Sequence, residues 1–182
     1  MSDPIRPDAA ERPAPLVVPF RGLQPKVSPR AWLAPTAALI GDVTVEADVS
    51  IFYGAVVRGD MAAVTIGEGS NLQDNAVVHT DDDFPATIGP RVSVGHAAVV
   101  HGCTIEGDCL IGMNATVLNG AVIGTGSLVA AGTVVLEGTT VPPGSLVAGV
   151  PGRVRRPLTD EEREKVRQNA LTYLTLAAGQ GK

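Results

Sequence analysis

The sequence predicts an all-β solenoid, a parallel β-helix carrying one C-terminal α-helix, and three observations predict it. The first is a six-residue recurrence: Ile105, Ile111, Val117, Ile123, Val129, Val135, Val141 and Val147 follow one another without interruption. The second is composition, since aromatics make up 3% of the 182 residues while Gly (21) and Pro (14) are plentiful. The third is a change of period after residue 157, where apolar residues return at helical spacing.

Taken in chain order, residues 1–22 are rich in proline and predict a flexible arm that could wrap a neighbour. Residues 23–157 are the solenoid. Within them the six-residue step also links Leu39, Val45, Ile51 and Val57, then Ile66, Leu72 and Val78, then Ile88, Val94 and Val100. A helix would repeat every 3.6 residues and a half-buried strand every two. A step of six, with Gly, Asp or Asn between the aliphatics, fits short strands separated by turns. Three such hexads make a coil of about 18 residues with one inward aliphatic per face, so stacked coils enclose a column of Val, Ile and Leu too narrow for aromatic rings. Residues 158–179, LTDEEREKVRQNALTYLTLAAG, predict a helix. Thr159 and Glu162 have capping-box spacing, Val166, Ala170, Tyr173 and Ala177 form one stripe to pack on the solenoid, and Gly179 offers a stop.

A net charge of −5 gives no electrostatic footprint for nucleic acid or an anionic membrane, although Arg153, Arg155 and Arg156 form a local basic cluster. There is no run of about 18 apolar residues and no secretory signal pattern at the start, which predicts a cytoplasmic protein. Cys103 and Cys109 are too few for a disulfide framework and read as small buried residues.

All three histidines, His79, His96 and His101, lie in VHTDDDFPATIGPRVSVGHAAVVHG, residues 78–102. The repeat serves as a ruler for them. Val78 and Val100 are 22 residues apart, three hexads plus a four-residue excess in TDDDFPATIGP, so they occupy equivalent corners of successive coils. His79 and His101 follow them and stack about one strand spacing, ~4.8 Å, apart. The same arithmetic puts Arg58 in that column. His96 follows Val94 by two and belongs to the preceding face, out of easy reach of a metal held by His79 and His101 of its own chain. A threefold oligomer brings one subunit's face against a different face of the next, which predicts a trimer with metals at its interfaces. Three imidazoles with an open fourth position suit Zn, and also Fe(II) or Co(II).

The segments VVRGD (56–60), NLQDNAVVH (71–79), VGHAAVVHG (94–102) and CLIGM (109–113) resemble the gamma-class carbonic anhydrases, a branch of the hexapeptide-repeat family of left-handed parallel β-helices. The resemblance spans residues 27–150 and implies the left hand of the coil. It implies a homotrimer, with each metal ligated by His79 and His101 of one chain and His96 of its neighbour. Arg58 and Asp60 would form ion pairs across the interface. Gln73 would lie near the metal-bound water, with Asn71 and Asp74 as polar neighbours, and Tyr173 would face the site from the helix. The implied reaction is reversible hydration of CO2 to bicarbonate by a metal-bound hydroxide. The chain departs from the best-characterised members at Met61, where an acidic residue would help, and lacks their long acidic loop. Asp81, Asp82 and Asp83 are the substitute proton acceptors at hand.

Two other readings fit the same fold. One is action on an acyl-coenzyme A, as an acyltransferase, for which VAGVPGRVRR and a single histidine base would suffice, or as a thioesterase using the same metal centre. The other is a non-catalytic trimeric scaffold clamped by its metal.

Overall fold

Residues 14–180 are described by the structure, a computed structural model of the chain. Short parallel strands run round a three-sided coil. One side is a sheet of its own, in which Trp32–Leu33, Ser50–Ile51, Asn71–Leu72, Ser93–Val94, Leu110–Ile111, Leu128–Val129 and Ser145–Ala148 stack in that order. The other two sides are joined into one sheet because Ala38–Val45 and Val56–Ile66 stay extended round a corner. The first half of Val56–Ile66 pairs with Val77–His79, and its second half pairs with Ala86–Ile88. This run is where the six-residue step first breaks, since an unbroken strand replaces a turn there.

The column of aliphatics is the core. From Leu39 to Val147, every member of the recurring series is at most 2% exposed. Each lies over its counterpart in the next coil, as in the pairings of Val57 with Val78 and of Val78 with Val100. Small residues two places earlier in the hexad close the corners, among them Ala115 and Ala121, and Cys103 and Cys109 occupy that same position. Burial pushes the Cys103 thiol up to about 12 and that of Cys109 up to about 11. Both should therefore resist a thiol reagent at pH 8 in the folded protein and react together on unfolding, as aromatic-disulfide titration would show. A raised thiol stabilises the fold fully below its ordinary value of 9.0, and that contribution is lost as pH rises through 11 to 12.

Two expectations need correction or refinement. The arm is not wholly loose: Leu16–Val18 is a strand parallel to Ala38–Val45, with Leu16 opposite Ala38. The open edge of the first coil offers unpaired backbone groups, and the flanking Pro15 and Pro19 limit the added strand to three residues. The rest of the arm, residues 1–13, lies outside the described residues. The aromatics excluded from the column gather outside it: Trp32 and Phe52 ring centres are 5.0 Å apart, and Phe52 and Tyr173 centres 5.2 Å, all edge-on.

The helix Asp160–Gly179 begins at the predicted capping box, Thr159 Oγ1 accepting from Glu162 N–H and the Glu162 carboxylate accepting from Thr159 N–H. It buries Val166 and Ala170 and packs against Ser50–Ile51 and Asn71–Leu72. Its far end is tied by the Tyr53 hydroxyl, which donates to Gln180 Oε1 at 2.9 Å. Hydrogen bonds from Arg156 and the Thr159 backbone hold the Glu162 carboxyl at about 2, against an ordinary 4.5. Its stabilising charge is thus complete above pH 4.5 and lost as pH falls towards 2. Thr159→Ala should cost about 1 kcal/mol in urea denaturation, the usual loss for an N-cap oxygen. Among the described residues no helix is long and apolar enough to cross a membrane.

Candidate metal centre

The residues singled out in the sequence fall into two clusters on different sides of the coil. The first follows the strands that share a corner. Arg58 pairs with His79 and His79 with His101 in strand register, so the three form the predicted column, and the His79 and His101 ring centres are 4.9 Å apart. Asp60 lies beside them on the same extended strand, its Oδ1 3.0 Å from His79 Nε2 and its Oδ2 bonded to Arg58 Nη1 at 2.5 Å. Arg58 and Asp60 thus form an ion pair within the chain. Residues i and i+2 of a strand share a face, which brings the two side chains together. Burial raises the Asp60 carboxyl, but hydrogen bonds from Arg58 and His79 outweigh it and hold the group below its ordinary 3.8.

The hydrogen bonds determine which ring nitrogens carry protons. His79 Nε2 faces a carboxylate oxygen, which can only accept, so that nitrogen is the N–H. His101 Nδ1 lies 2.7 Å from Asn119 Oδ1, and the Asn119 amide is oriented by its Nδ2 donating to Asp81 Oδ2 at 3.3 Å. His101 is therefore also protonated on its outer nitrogen. That leaves His79 Nδ1 and His101 Nε2 facing each other at 3.0 Å, as two lone pairs when neither ring carries a second proton. Lone pairs at that distance repel unless a proton or a metal ion joins them. A tetrahedral Zn site, with N ligands at about 2.0–2.1 Å, sets its nitrogens roughly 3.3 Å apart, so this donor pair fits two corners of one. Outer nitrogens held by a carboxylate and an amide are the supports that metal-ligating histidines need.

The second cluster lies past the third side of the coil. Asp74 and His96 occupy equivalent places in adjacent coils, with His96 Nδ1 2.8 Å from Asp74 Oδ2. The Tyr173 hydroxyl reaches His96 Nε2 at 3.2 Å from the helix. Burial, and then the nearby Asp74 charge, raise the Tyr173 hydroxyl above its ordinary 10.0, so it stays a donor. Gln73 and Asn71 are buried beside them, Gln73 Nε2 donating to Asn71 Oδ1 at 3.2 Å and Asn71 Nδ2 to Ser93 Oγ at 2.9 Å. A groove of about 400 Å³, lined by Gln73, His96, Met113, Asn169 and Tyr173, opens at this cluster.

Within one chain, then, His96 stays apart from His79 and His101. Among the described residues no group of three His, Cys, Asp or Glu comes together to hold a metal. Asn119 and the link from Asp81 to it were not singled out in the sequence. The ruler could have found Asn119: Val100 pairs with Val117, which sets Asn119 beside Gly102. Of the three acidic loop residues, Asp81 is committed to this bond while Asp82 and Asp83 are exposed.

Comparison with known proteins bears on the fold and the family. A family model described as bacterial transferase hexapeptide (six repeats) matches residues 102–137, which fits the left-handed sense expected of the coil. The chain is 54% identical over 151 residues to the "Probable carbonic anhydrase" of Methanocaldococcus jannaschii, covering 83% of this chain and 95% of that one. It is 44% identical over 159 residues to gamma carbonic anhydrase 1, mitochondrial, of Arabidopsis thaliana, covering 84% of this chain and 58% of the plant protein's length. Among solved structures, a hexapeptide transferase family protein from Anaplasma phagocytophilum superposes with a TM-score of 0.88 at 39% identity, covering 91% of this chain and 98% of that one.

Proposed function

Because the chain belongs to the gamma-class carbonic anhydrases of the hexapeptide-repeat family, we propose that it hydrates CO2 reversibly to bicarbonate at metal centres shared between the subunits of a homotrimer. The observation that carries the proposal is the division of the site. One side of the coil presents two imidazole lone pairs 3.0 Å apart, and another presents a third imidazole held by Asp74 and Tyr173. Each is an incomplete ligand set, and a threefold arrangement makes them complementary.

A divalent ion bound by His79, His101 and the neighbour's copy of His96 would supply Lewis acidity and make hydroxide available near neutral pH. The chain's own groups do the rest. Asp60 and Asn119 hold the two rings with their lone pairs inward. Gln73, a neutral amide, orients bicarbonate or water without adding charge, and the Tyr173 hydroxyl supplies a donor beside it. Asp82 and Asp83, free of the bond that engages Asp81, take up the proton released in each turnover.

Stopped-flow CO2 hydration, run on protein of measured Zn, Fe and Co content alongside His96→Ala, tests the reading. Activity that follows metal occupancy and disappears in His96→Ala is the expected result. Inactivity in every metallated form would leave a metal-clamped scaffold. A second reading, acyl transfer or thioester hydrolysis, is favoured by the transferase name of the Anaplasma relative and by the groove beside His96. Transfer from an acyl-coenzyme A that survives chelation would establish it in place of the first.

A further inference from the structure

We infer that Asn119 and Asp81 are positioning residues for His101, forming a relay in which a carboxylate orients an amide and the amide selects the ring tautomer that leaves the inward nitrogen free to ligate. The inference deepens the proposed metal site and rests on that reading for its metal-binding arm.

An asparagine amide is ambiguous, because its oxygen accepts and its nitrogen donates. If Asn119 presented Nδ2 to His101, Nδ1 of the ring would have to accept and the proton would move to Nε2, the nitrogen that faces His79. Asp81 removes the ambiguity. Its Oδ2 lies 3.3 Å from Asn119 Nδ2 and can only accept, so Oδ1 is turned to His101 Nδ1 at 2.7 Å. Asp81 is itself held, since its Oδ1 accepts the Asp82 N–H at 3.0 Å and its backbone bridges to Phe84.

The surrounding fold makes room for the relay. Gly102 has φ +53°, and a Cβ there would stand 2.3 Å from Asn119 Oδ1 and 2.8 Å from Phe84 Cβ. Only a residue without a side chain lets Asn119 reach the ring. The four-residue excess in TDDDFPATIGP thus does more than keep His79 and His101 in register, because it carries Asp81 to Asn119, 38 residues away in sequence. The two ligands are supported differently. His79 is backed by a carboxylate with its own arginine, and His101 by a neutral amide.

The test uses the full-length protein in its native assembly. The His101 tautomer is read from 15N–1H spectra of the imidazoles, recorded as a function of pH. Zn affinity is measured by competition with a chromophoric chelator. Wild type should show His101 protonated at Nδ1. Asn119→Leu should shift it towards Nε2–H and weaken Zn binding by about 10- to 100-fold with circular dichroism and oligomeric state unchanged. Asn119→Asp alone sets two carboxylates against each other and should also weaken binding. The Nδ1 tautomer should persist there, since a carboxylate also accepts, and adding Asp81→Asn reverses the relay and should restore affinity to within a few-fold. An unchanged tautomer and affinity in Asn119→Leu would overturn the inference. If that variant fails to fold, absence of rescue in the Asn119→Asp/Asp81→Asn protein overturns it instead. Wild-type protein that binds no divalent ion would refute the proposed function, while the tautomer comparison would still decide the relay.

Discussion

His96→Ala and His101→Ala should each lose at least about 100-fold in CO2 hydration, yet the two variants unfolded and refolded together should regain activity at about a quarter of their sites. The reason is the placement of the ligands. His101 stacks on His79 at the end of one side of the coil, whereas His96 follows another side and meets Asp74 and Tyr173. In the proposed cyclic trimer each centre would take its paired histidines from one chain and its single histidine from the next. A His96→Ala chain still offers an intact pair, and a His101→Ala chain an intact His96. Random assortment joins these two intact halves at about one interface in four. Metal content should recover in the same proportion, so activity and bound metal can be followed in parallel. No recovery in mixed trimers of confirmed composition would mean that a single chain builds the centre, and the shared site would have to be abandoned.

Ile111→Asp should abolish cooperative folding, an effect of at least about 4–5 kcal/mol. Ile111 is fully buried between Val94 and Val129 of the adjoining coils, and the column around it holds only aliphatic side chains. A carboxylate there finds no donor, and its stability cost is between about a third and all of the roughly 5–15 kcal/mol that a domain possesses. The damage also spreads. Each coil of a solenoid is stabilised by its neighbours, so a break in the middle unseats the coils on both sides. Ile111→Val, which removes one methylene, should cost only about 0.5–1.5 kcal/mol. Leu136→Asp, one residue past the buried Val135 and 43% exposed, should stay within about 0.5 kcal/mol. Urea unfolding followed by circular dichroism ranks the three, and a folded Ile111→Asp protein would show that the column is not the source of stability.

That contrast between Val135 and Leu136 was legible in the sequence, as was much else about the fold. The six-residue step picked out the inward residues from Leu39 to Val147, and the three-residue excess in MAAVTIG (61–67) with the four-residue excess in TDDDFPATIGP were enough to align Arg58, His79 and His101 across three coils. Thr159 and Glu162 marked the start of the helix because a capping box is a local arrangement. Other features left no periodic trace. The short strand at Leu16–Val18 follows from an unfilled sheet edge, which no feature of those three residues announces. Trp32, Phe52 and Tyr173 meet only because the helix returns along the coil.

The candidate site divides along the same line. By itself the sequence determined which residues occupy which column and which side of the coil, because stacking in one dimension makes position a matter of counting. Only the tertiary structure decided how the side chains at those positions pair: Asp60 with Arg58 and His79, Tyr173 with His96, and Asn119 between Asp81 and His101. Those pairings depend on where a loop swings, where a missing Cβ leaves space and which oxygen an amide turns outward. A repeat imposes none of these, since it constrains the inward side chains that must fit the column and leaves the outward ones to their neighbours.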